Sequence, residues 1–198
     1  MASLENIALT DIDWPDGSEN IGGTGQKLWF APRGDFAKGG IPAVPQNPAT
    51  LEEAAQVDGA NFQFKTGKGW NTLYVTRDTG GITGEPQGEM DGKSFLNKYA
   101  FVTPGNQAKA LGFSRYINNT PLIMIVQEAD GTLRMMGSDV FGVSFDSITP
   151  TTGATTAERK QVAFECSFPS VAPAPIVTNY SPANFEASGS SSTSAGGV

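Results

Sequence analysis

Residues 121–168 read PLIMIVQEADGTLRMMGSDVFGVSFDSITPTTGATTAERKQVAFECSF. The apolar run from Leu122 to Val126 is the longest in the chain, and Asp130-Gly131 follows it as a tight-turn signal before a second segment at 133–137. Val143, Phe145 and Ser147 then alternate with polar or small residues. Val162, Phe164, Cys166 and Phe168 do the same against Gln161, Glu165 and Ser167. This pattern predicts consecutive antiparallel strands, the last two paired across the Thr-rich loop TPTTGATTAERK.

Upstream, QKLWF at 26–30 is a further strand, ended by Pro32 because proline has no N–H for a ladder. Segments 61–64 and 71–76 predict a hairpin across KTGKGW, and polar 82–90 predicts a strand joined to SFLNKYAFVT by Asp91-Gly92 as a two-residue turn. A polar strand beside an apolar one implies a sheet with one wet face. Residues 105–118 are the best helix, with Ala110, Phe113 and Ile117 on one face and Asn106 as N-cap. Between 41 and 60 lies a Pro-rich loop, where Thr50 and Glu53 form a capping box for a short helix LEEAAQV. Residues 1–24 predict an extended arm whose Leu4, Ile7, Leu9, Ile12 and Trp14 need a surface to pack on, either their own domain or another subunit. Residues 181–198 predict a Ser/Gly-rich tail. The fold class is therefore mainly β, an antiparallel sandwich or barrel with one flanking helix; one domain spans 25–180.

Composition excludes more than it suggests. The chain has no histidine among its 198 residues, which removes the usual general base and the commonest transition-metal ligand. The single Cys166 has no disulfide partner in the chain and reads as a core thiol. Thirteen basic against 20 acidic residues give −7, with no Lys/Arg patch for phosphates. MASLENIALTDID lacks a basic n-region and an apolar h-region, so no signal peptide is expected and no membrane partner.

Three motifs invite chemistry and fall short. Asp78-Thr79-Gly80 occurs once, whereas paired-carboxylate proteolysis needs two such aspartates. Gly22-Gly23-Thr24-Gly25-Gln26-Lys27 has the wrong spacing for a phosphate loop and no Ser or Thr after the lysine. Trp14, Trp29 and Trp70 would make a sugar platform only if they shared an exposed face. The expectation is no catalytic, cofactor or metal residues, and no enzyme.

The order of arm, strands with a long loop, hairpin, helix, meander and Pro-rich exit resembles the tail tube (major tail) proteins of long-tailed bacteriophages, especially those of phages infecting Bacteroidetes. FQFKTGKGWNTLYVT, GEMDGKSFLNKYAFVTPGNQAKALGF, the acidic Asp130-Gly131 hairpin and TTGATTAERKQVAFECSFPSVAPAPIVT carry the resemblance. Within them are a Gly-Lys-Gly-aromatic turn, here Gly67-Lys68-Gly69-Trp70, and Glu158-Arg159 before the last core strand and its Pro-Ala-Pro exit. The resemblance covers about residues 20–180 and implies a virion structural protein. It would be assembled in the bacterial host cytoplasm as hexameric rings stacked into a tail tube, with itself and other tail proteins as partners. DNA would pass through the lumen without specific binding. The expected subunit contacts are Leu4, Ile7 and Trp14 in the arm, Leu51 and Val57 in the Pro-rich loop, and Glu85 and Glu89 on the polar hairpin. Alternatives are a monomeric carbohydrate-binding or adhesin-like module, or a tail-terminator or capsid-decoration protein.

Overall fold

The apolar run becomes a strand in a sheet covered on both faces. The computed structural model describes residues 4–181 and 183–185. Ten strands and one α-helix follow in chain order there: β1 (Thr24–Pro32), β2 (Gln56–Asp58), β3 (Asn71–Tyr74), β4 (Gly81–Gln87), β5 (Ser94–Pro104), α1 (Ala108–Ile117), β6 (Leu122–Glu128), β7 (Leu133–Met136), β8 (Ser144–Thr151), β9 (Gln161–Ser170) and β10 (Ile176–Thr178). They form a six-stranded sheet, β2-β10-β7-β6-β1-β3, and a four-stranded sheet, β4-β5-β9-β8. All pairings are antiparallel except β10 with β2.

Strand alternation sorts the six-stranded sheet's residues between two cores. Leu28, Leu122, Met124, Val126 and Met136 face the other sheet, meeting Tyr99 and Phe101 of β5 and Val162, Phe164, Cys166 and Phe168 of β9. Trp29, Ala31, Ile123, Ile125 and Met135 face the opposite way, against Phe36, Ile41, Val57, Trp70, Val177 and Phe185. Residues 122–126 are all buried for this reason, as in any strand with both faces covered. The architecture is a mainly β sandwich with the helix beside it. Ile117 is buried in the inter-sheet core, Ala110 and Phe113 pack against it, and the Phe113 ring lies 5.0 Å from that of Phe30.

The meander 121–168 divides between the two sheets instead of staying in one. Gly137 (φ 96°) turns the chain out of β7, and a Cβ there would sit 2.9 Å from Ile123 Cδ1 and 3.1 Å from the Leu122 carbonyl oxygen. Only glycine fits that crossing without displacing β6. The chain then touches β6 again at the Leu122–Val143 bridge before entering the second sheet.

Four local expectations are corrected. The capping box forms, with the Glu53 amide donating to Thr50 Oγ1 (3.2 Å) and the Glu53 carboxylate accepting from the Ala49 amide (2.8 Å). The helix it opens is only a 3₁₀ turn, Glu53–Ala55, because Gln56–Asp58 pairs in parallel with β10 as β2. Residues 61–64 are not a strand: Phe62 and Phe64 point into an aromatic cluster with Phe36 and Trp70, and β3 pairs with β1 instead. The β4–β5 connection has six residues, 88–93, since Gln87 pairs with Ser94; Gly88 (φ 98°) and Asp91 (φ 65°) supply the left-handed backbone. Residue 107, not Asn106, precedes the first turn of α1 and no side chain caps it; Asn106 Nδ2 donates to the Thr151 carbonyl instead (3.4 Å).

Within the predicted tail, Phe185 joins the second core. Phe185 is buried, its ring stacked 4.4 Å from Trp29. Residues 186–198, most of that predicted tail, lie outside the described residues, as do 1–3 of the arm.

Candidate assembly surfaces

The segments flagged for contact lie outside the two cores, with one exception. In the arm, Leu9, Ile12 and Trp14 are 85%, 90% and 65% exposed, and Leu4 is exposed as well. Ile7 is half-buried. The arm is tied to the Pro-rich loop by the Ala8 amide donating to the Ala49 carbonyl (3.1 Å), and it turns at Trp14-Pro15-Asp16-Gly17 with a Ser18–Pro15 bond (3.1 Å). Leu51 is half-buried in the loop. Val57 is the exception: it is 2% exposed, centred on β2 and packed into the second core. An apolar residue in a short helix and in a short strand look alike in sequence. Only the partner strand decides, and β10 is more than 100 residues away.

Glu85 and Glu89 are exposed on and after β4. Glu85 pairs with Lys98 of β5 at 2.7 Å, and Glu89 lies in the six-residue turn. They border a wider surface that sequence reading saw only in part, the outer face of the four-stranded sheet. The register brings Thr83 beside Lys98, Lys98 beside Ser167, Ala100 beside Glu165, and Glu165 beside Ser147. Asp146, at the bulge in β8, joins them around a shallow depression of about 510 Å³. Small and polar side chains dominate this face, and three of its charged groups, Glu85, Glu165 and Asp146, are acidic against one Lys98.

The inner side of the same sheet is closed and neutral. Burial pushes the Tyr99 phenol up to about 12, partly offset by its bond with Thr24 Oγ1 (3.3 Å). It also raises the Cys166 thiol well above its ordinary range, with Sγ donating to the Tyr99 carbonyl at 3.4 Å. Cys166 is thus a packed core group without thiolate character. Asn97, fully buried, holds the Pro-Ala-Pro exit: its Nδ2 donates to the Ala172 carbonyl (3.1 Å) and its Oδ1 accepts from the Ala174 amide (2.9 Å).

The motif positions have structural roles. Asp78 (φ 58°) makes an exposed ion pair with Arg77, and Thr79 Oγ1 donates to the Thr76 carbonyl (2.6 Å), closing the turn before β4. Trp70 leaves the Gly67-Lys68-Gly69 turn to enter the aromatic cluster, donating to Tyr180 Oη at 3.3 Å. Glu158 accepts from the Ala154 amide (2.7 Å) and so closes the Thr-rich loop, while Arg159 Nε donates to Gln161 Oε1 (2.6 Å). Trp29 and Trp70 are buried, so the three tryptophans do not share an exposed face for a sugar platform. Among the described residues no group of three His, Cys, Asp or Glu could hold a metal ion. No helix there is long and apolar enough to cross a membrane.

The surface missed in the sequence is an apolar groove of about 570 Å³ between the Pro-rich loop and the turn that follows β7. Val140, Phe141 and Val171 rim it and are 70%, 53% and 74% exposed. Its signal was present as the pair Val140-Phe141 between two glycines, but the alternation of the neighbouring strands absorbed it. Compared with known proteins, the chain matches no family model, no curated sequence and no solved structure.

Proposed function

We propose that the chain is the repeating subunit of a phage-type tail tube, in which hexameric rings stack and the outer face of the four-stranded sheet lines a channel for DNA. One observation carries the reading: a well-packed sandwich keeps its unsatisfied apolar groups in an arm and a loop rim that project from it. Leu4, Leu9, Ile12, Trp14 and Ile21 belong to the first, Val140, Phe141 and Val171 to the second. A monomer gains nothing from such groups, whereas a subunit that meets copies of itself buries them.

The sheet face supports the second half of the proposal. It offers small polar side chains and an acidic surplus, with a single lysine already bonded to Glu85. A polyanion meets weak repulsion there and few donors, so it slides instead of binding. The edge strands β4 and β8 have unpaired backbone groups on their outer sides, and joining them to neighbours in a closed ring removes those edges. The resemblance in 62–76, 88–113 and 151–178 points the same way.

Negative-stain microscopy of the concentrated full chain, with sedimentation of the same sample, tests this. Rings or tubes of uniform diameter are the expected result. A monodisperse monomer at all concentrations would contradict it.

A further inference from the structure

We infer that the groove between the Pro-rich loop and the 138–141 turn receives the amino-terminal arm of a second copy of this chain. The inference rests on the assembly reading above and names the contact that would carry it. Among the described residues, the groove rim and residues 9–14 of the arm both leave large apolar side chains exposed, while Ala8 ties the start of the arm to Ala49 of its own Pro-rich loop. The arm does not enter the groove of its own chain, since the lining comes from 42–46, 94, 135, 137, 138, 140, 141, 168–171 and 175 with no arm residue among them.

Chemistry matches the two. In an extended backbone Ile12 and Trp14 point to one side and Asp11 and Asp13 to the other, so an apolar edge and an acidic edge run together. The groove lining has no charged side chain. Its rim does have charge: Arg33 Nη1 donates to the carbonyls of Asp139 (3.0 Å) and Val140 (2.7 Å), which keeps a guanidinium beside the exposed Val140-Phe141 pair. Lys65 and Lys68 lie at the Arg33–Asp35 turn, Lys65 on the Gly34 carbonyl and Lys68 paired with Asp35, and the exposed Asp139 is the acid of the rim turn. The first 25 residues hold five acids, Glu5, Asp11, Asp13, Asp16 and Glu19, and no base. An arm seated with Ile12 and Trp14 inward would turn its aspartates toward the Arg33 guanidinium at the rim. The contact is head-to-tail: each copy gives an arm and receives one.

Complementation tests it with the full chain. An arm variant (Ile12→Asp with Trp14→Asp) and a groove variant (Phe141→Asp with Val171→Asp) each lack one half of the contact. Each alone should sediment as a monomer, and an equimolar mixture should give a 1:1 heterodimer through the one intact arm and the one intact groove. A mixture that stays monomeric, with both variants folded by circular dichroism, overturns the inference. So does a groove variant that assembles like the wild type. If the groove variant fails to fold, Ile12→Cys with Phe141→Cys decides instead. Oxidation should join separate chains, and a cross-link within one chain, or none, overturns the proposal. Failure of the tube reading is distinguishable: heterodimers without tubes from the wild type retain the docking contact, and tubes from the groove variant retain the tube without it.

Discussion

Phe164 sits where both sheets and the helix meet. Its ring lies 5.0 Å from Phe101, 5.8 Å from Phe145 and 6.1 Å from Phe113, and its side chain is buried. Phe164→Ala empties this junction, and the loss in urea unfolding should be about 3–5 kcal/mol. Tyr99 and Cys166 predict how stability depends on pH. Both are held neutral by burial, with folded pKa values above their unfolded ones. Their contribution is fully present below about pH 9 and is lost as pH rises, because the unfolded chain then releases protons that the folded chain keeps. For Tyr99, raised from 10.0 to about 12, the loss between those limits should approach about 2–3 kcal/mol at about 1.4 kcal/mol per pKa unit. Denaturant midpoints should fall from pH 8 to pH 11. Tyr99→Phe should flatten the part of that decline above pH 10, and an unchanged slope would remove Tyr99 as its source.

Phe185 extends the folded unit into a stretch whose composition promises none. Its ring stacks on Trp29 and meets Trp70 edge-on at 5.4 Å and Tyr180 at 4.6 Å. Phe185→Ala should lower stability by about 3 kcal/mol in urea unfolding. Strands with a clear period were legible in the sequence: β1, β5, β6, β7 and β9 fall where alternation or an apolar run puts them, as do the β8–β9 pairing and the stripe on α1. Elements that depend on distant partners were not. β2 is a strand only because β10 lies beside it. Residues 61–64 lose their strand to an aromatic cluster assembled from Phe36, Trp70 and Tyr180. Among the candidate contact residues, Val57 is buried for the same reason, whereas Leu4, Trp14, Glu85 and Glu89 are exposed.

At the scale of the whole molecule the cores and the projecting parts have separate duties. Among the described residues, the cores use residues from β1 onward, and the arm before β1 contributes no member to either. Deleting residues 1–20 should therefore leave a subunit with native circular dichroism and little change in melting temperature, yet unable to form higher assemblies. An unfolded deletion product would place the arm among the folding determinants and end that division. The four-stranded sheet adds the second large-scale expectation, because its polar outer face needs a reason to be broad, small-chained and acidic. Passage of a polyanion along it supplies one.

Cryo-electron microscopy of assemblies formed by the concentrated wild-type chain tests the central proposal most directly. The expected result is stacked rings of six copies around an open channel wide enough for a DNA duplex, with Thr83, Lys98, Glu165 and Ser147 facing the channel. Assemblies without a channel, a channel lined by the six-stranded sheet, or particles that remain monomeric would contradict it.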